Sequence, residues 1–280
     1  MSPIPFIASR RRVLALGAGL GLSAVMSATA GAALPERRGE VAALSPLEAI
    51  NQAGRQRMLS QRGAKLYAQA LKGVRVDDSR KRLEASIDQF SSQLDNLQRF
   101  SKNGGNPEVQ ATYERLAGRW SEYRGVLTAP PDAPGLIKVA RLNEEVLALA
   151  HQGTLQLEKL HGGSASHLVN ISGRQRMLSQ RISKFYFFAE NGLAGPEVSS
   201  GLSRSRDEFL SAMKTLRAAP ENTQDINSWL DLGQSQWAFF DDALRTEVKG
   251  NPAYQERNVA VASENLLEVL DSVTGLYARF

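Results

Sequence analysis

The residues in this chain best suited to chemistry are arginines, and they stand in a string that is written twice. Asn51-Gln52-Ala53-Gly54-Arg55-Gln56-Arg57-Met58-Leu59-Ser60-Gln61-Arg62 returns as Asn170-Ile171-Ser172-Gly173-Arg174-Gln175-Arg176-Met177-Leu178-Ser179-Gln180-Arg181, and the nine residues Gly-Arg-Gln-Arg-Met-Leu-Ser-Gln-Arg are identical. On a helix Ile50, Gly54, Arg57 and Gln61 share one face, as do Val169, Gly173, Arg176 and Gln180 in the second copy. A mid-helix glycine costs about 1 kcal/mol against alanine, but it leaves a surface bare enough for a second helix to approach. A guanidinium one turn later then points into that contact. Two guanidiniums a few ångströms apart repel by several kcal/mol at an effective dielectric of about 20, so an anion between them is favoured. The planar fork of arginine suits an oxyanion through bidentate hydrogen bonds. Exact duplication weakens the competing reading, in which these are solvated arginines on an outer face. Arg55, Arg62, Arg174 and Arg181 point elsewhere on the helix and are expected in surface or bundle-packing roles.

Positioning these side chains requires long helices, and the sequence supplies them. Gly54 to Gly173 is an offset of 119, which also lays Lys65 on Lys184 and Tyr67 on Tyr186, while Trp120 and Trp237 hold similar places late in each half. Ser45-Pro46-Leu47-Glu48 spells a capping box with Pro at the first helical position, opening an amphipathic run to about residue 72. A second helix runs from about 78 to 102, with Leu83, Ile87, Phe90, Leu94, Leu97 and Phe100 at three- and four-residue steps. Asn106-Pro107-Glu108 starts a third, which ends before the breaker at 130–135, and Leu136 to Leu160 forms a fourth that stops at Gly162-Gly163. The second half repeats the scheme near 165–191, 197–218, 224–248 and 253–278. No segment alternates with period two. The expected fold is all-α: two tandem antiparallel four-helix bundles, 45–162 and 163–280, related by a pseudo-two-fold axis, with the motif helices parallel and their motifs face to face.

The string Asn-x-Ala/Ser-Gly-x-x-Arg-Met-x-Ser-x-Arg resembles the periplasmic P-box of the NarX/NarQ nitrate and nitrite sensor kinases. The region around it is similar to the PilJ/NarX-like sensor domain of type IV pilus chemotaxis transducers. The resemblance implies an oxyanion, nitrate or nitrite, between two P-box helices, held by Arg57 with Gly54 and by Arg176 with Gly173. Asn51, Asn170, Gln61 and Gln180 take supporting places. It implies periplasmic sensing, with the signal passed to a separate membrane sensor or transporter because no kinase or methyl-accepting region follows before Phe280. The alternative is a helical protein-protein interaction module in which the P-box helices form only a packing seam.

Composition excludes much else. There is no cysteine, so no thiolate nucleophile, Cys-ligated metal or lipidated cysteine exists. The net charge of +5 owes three charges to Arg10, Arg11 and Arg12; without them 31 basic residues face 29 acidic ones, too balanced for nucleic acid. Arg10-Arg11-Arg12 precedes an uncharged Gly- and Ala-rich stretch from Val13 to Ala33, and Ala28-Thr29-Ala30 or Ala30-Gly31-Ala32 offers a cleavage site. The expectation is a twin-arginine-like signal peptide over 1–33 and a linker over 34–44, with a membrane tether if the leader stays uncleaved. Glu158-x-x-His161 spells half of a di-iron motif once and has no second copy, so neither metal nor cofactor is expected. Phe185-Tyr186-Phe187-Phe188 and Trp237-Ala238-Phe239-Phe240 read as core packing. Nothing pairs a nucleophile with a base, so the chain is not expected to be an enzyme.

Overall fold

A computed structural model describes residues 44–104, 106–245 and 251–280. The expected leader over 1–33 and the linker up to residue 43 lie outside them. The described residues form eight α-helices and no strand: α1 (Pro46–Lys72), α2 (Val76–Asn103), α3 (Pro107–Leu127), α4 (Ala133–His161), α5 (Gly163–Glu190), α6 (Pro196–Arg217), α7 (Gln224–Arg245) and α8 (Pro252–Tyr277).

Side-chain caps start α1, α3 and α8 where the sequence places them. Ser45 Oγ accepts from the Glu48 backbone N–H at 3.2 Å, Asn106 Oδ1 from that of Val109 at 3.1 Å and Asn251 Oδ1 from that of Tyr254 at 3.1 Å, each with proline in the first turn. The capping box at Ser45 is only half made, because Glu48 turns its carboxylate to Asn51 and Gln52 instead of its own cap. The segment 130–135, expected to be a breaker throughout, contributes its last three residues to α4. Asp132 Oδ1 caps the Gly135 N–H at 2.6 Å, and Pro134 sits where no helical N–H is needed. Between α4 and α5 only Gly162 intervenes, at φ 64°, a left-handed setting that suits glycine.

α1 packs on α2 and α4, and α3 on α2 and α4; α5 packs on α6 and α8, and α7 on α6 and α8. The two four-helix groups meet chiefly through α1 against α5. Corresponding residues make corresponding contacts in each group. Gln56 Nε2 donates to the Phe90 carbonyl at 3.1 Å and Gln175 Nε2 to that of Phe209 at 2.8 Å. Trp120 stacks on Phe90 with ring centroids 3.7 Å apart, and Trp237 on Phe209 at 4.2 Å. Of the expected aromatic core only Phe239 and, in part, Tyr186 depart: Phe239 is 67% exposed, on the outer face of α7.

Candidate anion-binding site

α1 and α5 run parallel, since Gly54 meets Gly173, Lys65 meets Gln180 and Lys72 meets Glu190 in the same order along both. They come into close contact at the glycines. A Cβ on Gly54 would lie 3.7 Å from Gly173 Cα, and one on Gly173 equally far from Gly54 Cα. The missing side chains leave room for guanidinium groups: those two Cβ positions lie within 3.3–3.5 Å of the Nη2 atoms of both Arg57 and Arg176. Helical side chains tilt toward the N-terminus, so each arginine reaches back across the crossing to the opposite helix. Arg57 Nη2 donates to the Asn170 carbonyl at 3.1 Å, and Arg176 Nη2 to the Asn51 carbonyl at 3.2 Å and to Asn51 Oδ1 at 2.9 Å. Both asparagines are fixed from behind, Asn51 by Glu48 at 3.0 Å and Asn170 by Glu158 at 2.5 Å.

The two arginines are fully buried, and their Nε atoms find no partner. Beyond this the halves differ. Arg176 Nη1 donates to Asp271 Oδ1 at 2.6 Å, and Arg55 Nη2 donates to the same oxygen at 2.5 Å. Arg57 Nη1 instead lies 3.3 Å from His151 Nδ1. Because a guanidinium only donates, that nitrogen is the unprotonated acceptor of the ring. Burial lowers the Arg57 pKa to about 9, helped by the like charges of Arg174 and Arg176. Burial lowers Arg176 to about 10 while Asp271 opposes it. Both remain cations at neutral pH. Burial, Arg57 and Arg174 push His151 down to about 4, so it is neutral there. Burial alone would raise Asp271, but Arg176 and Arg55 outweigh it and hold the carboxyl below its usual range.

Gln61 and Gln180, expected beside the arginines, serve a second polar layer deeper along the pair. Gln61 Nε2 donates to Asn143 Oδ1 at 3.1 Å, and Gln180 Nε2 to the Ser263 carbonyl at 3.0 Å. Two buried lysines complete that layer: Lys65 pairs with Glu264, and Lys184 Nζ with Glu144 at 2.6 Å. Arg62 joins Glu264 at 2.5 Å and Arg181 joins Glu144 at 2.9 Å. Arg55, Arg62, Arg174 and Arg181, expected in surface or bundle-packing roles, each pair with a carboxylate on another helix, and Arg55 shares Asp271 with Arg176. The repeat carried a signal for this layer in Lys65 and Lys184. Its carboxylates appear only when α4 is laid on α8 at an offset of 120, which matches Glu144 with Glu264 and His151 with Asp271. His161 is the last residue of α4, and Glu158 serves His167 and Asn170.

The chain belongs to the PilJ family, the N-terminal domain of type IV pili methyl-accepting chemotaxis transducers, which it matches twice, over residues 44–143 and 162–264. This is a family of sensory domains, not of enzymes. No curated protein and no solved structure matches the chain. Among the described residues no helix is long and apolar enough to cross a membrane.

Proposed function

We propose that this protein is a periplasmic receptor that binds a small oxyanion where α1 crosses α5 and reports its presence to a separate membrane partner. One observation carries the reading: two fully buried guanidiniums share a glycine-floored crossing, and one of them, Arg57, has no carboxylate partner among the described residues. An uncompensated charge in a protein interior is costly, so an anion reaching Arg57 relieves a strain already present in the free protein. Arg57 is the receptor group at the crossing floored by Gly54 and Gly173, Arg176 beside it being already held by Asp271, and Asn170 and Asn51 fix the orientation of the two guanidiniums. Nitrate and nitrite are the first ligands to test, because the P-box resemblance implies them. The twin-arginine-like leader over 1–33 supports export.

Calorimetric titration of the protein with nitrate, nitrite and acetate tests this reading. Binding to the wild type that disappears in Arg57→Ala supports it, and absence of heat with all three overturns it. A docking module without small ligand is the second reading, favoured by Trp229, Leu232 and Phe239, which stand exposed on one side of α7.

A further inference from the structure

The two halves hold the same arginine pair in different company. Each pair takes one arginine from α1 and one from α5: Arg57 with Arg174 corresponds, through the repeat offset of 119, to Arg176 with Arg55. Arg176 and Arg55 clamp a single carboxylate, that of Asp271. At the same register of the bundle, Arg57 meets the neutral ring of His151, and beside it lies a cavity of about 310 Å³ between α4, α5 and α6. No such carboxylate reaches Arg57 there. Of the charged residues lining this cavity, Arg174 is paired with Glu208 at 2.8 Å and Arg181 with Glu144 at 2.9 Å. Arg57 and Arg204 remain as cations with no carboxylate partner among the described residues, so the lining carries a net positive charge.

We propose that the ligand is a monocarboxylate with a short apolar tail, bound in this cavity so that its carboxylate faces Arg57 and Arg174 as Asp271 faces Arg176 and Arg55. This rests on the reading of Arg57 as an anion receptor and narrows the ligand's chemistry and side of entry. Asp271 is the internal template: it is a carboxylate held by the equivalent arginine pair, and Arg174, although one of its Nη atoms is paired with Glu208, keeps further N–H donors for a second carboxylate. The cavity also exceeds a bare inorganic ion. Its volume of about 310 Å³ lies at the lower end of small-molecule pockets, which start at about 300 Å³. Leu147, Met177 and Leu178 also line the cavity and offer apolar contact to an aliphatic tail. The Arg176 side is closed to ligand because its carboxylate is already supplied by the chain.

The test is calorimetric titration of the full chain with butyrate and, separately, nitrate, for the wild type, His151→Asp and Arg174→Gln. His151→Asp supplies to Arg57 the carboxylate that Asp271 supplies to Arg176. Butyrate is expected to bind the wild type at one per chain and to lose at least tenfold in affinity in His151→Asp, while the melting temperature of the ligand-free variant holds or rises. Arg174→Gln, at the partly exposed mouth of the cavity, is expected to weaken butyrate severalfold and keeps the test decisive should His151→Asp misfold. Nitrate binding that depends on Arg57, with no butyrate binding, overturns the carboxylate and leaves the receptor reading standing. No binding of either overturns both. Butyrate affinity unchanged in both variants overturns the placement.

Discussion

His151 stands against Arg57 where Asp271 stands against Arg176. The imidazole Nδ1 is 3.3 Å from Arg57 Nη1, whereas the carboxylate Oδ1 is 2.6 Å from Arg176 Nη1. A duplicated surface has therefore become unequal at one position on each of two corresponding helices. One guanidinium is neutralised by its own chain, and the other is held buried and charged with only neutral acceptors.

That difference predicts opposite responses to the same substitution. Arg57→Met removes a buried charge without orphaning a carboxylate, and replacing such a charge with an apolar side chain of similar size is neutral or stabilising by about 1 kcal/mol. Arg176→Met is expected to cost about 1–2 kcal/mol, since Asp271 loses its closest buried partner but stays partly solvated and keeps Arg55. Urea denaturation of the two variants checks the ordering.

The deeper lysine layer predicts a larger loss. Glu264 accepts from Lys65, Arg62 and Arg82, and Lys65 is fully buried. Glu264→Gln takes the counter-ion from that buried lysine and is expected to destabilise by about 3 kcal/mol. Glu144→Gln is expected to cost less, because Glu144 is 43% exposed and water replaces part of what is lost. Denaturation midpoints at neutral pH rank the two.

His151 gives the pH dependence a definite sign. Its pKa is about 4 in the folded protein against an ordinary 6.5, held down by burial, Arg57 and Arg174, with Glu158 and Glu208 opposing. Between those values the unfolded chain binds more protons than the folded one, so this group makes stability rise as pH rises from about 4 to 6.5. Measured across that range, the stability of wild type relative to His151→Gln should climb with pH. A difference that stays flat would show that the ring is protonated in the folded state.

Export supplies a fourth prediction. Residues 1–40 fused to a reporter should carry it across the membrane, and changing Arg10 and Arg11 together to Lys should stop transport, since the charge is kept while the paired arginines are lost. Transport unchanged by that substitution would point to the general secretory route.

Much of this architecture was legible beforehand, for identifiable reasons. The helices announce themselves by three- and four-residue apolar steps and by Asn-Pro and Ser-Pro starts, and the close approach of α1 and α5 by Gly54 and Gly173. What the sequence pattern concealed lies on α4 and α8, which diverged after the duplication. The partners of the arginines and lysines, His151, Asp271, Glu144 and Glu264, sit at an offset of 120 instead of 119 and share no local motif. Phe239 was hidden for a different reason: it belongs to a run of aromatics, but a run of consecutive residues visits every side of a helix, so one of them had to face outward.

One anion is expected to bind per chain at Arg57, because Arg176 already has its carboxylate. Titration calorimetry of the full chain with nitrate and with acetate, on wild type, Arg57→Ala and Asp271→Asn, tests it most directly. At least one of these anions is expected to bind wild type with a ratio near one, Arg57→Ala to abolish this binding, and Asp271→Asn to add a second site. A ratio near two in the wild type, or binding that survives Arg57→Ala, would contradict it.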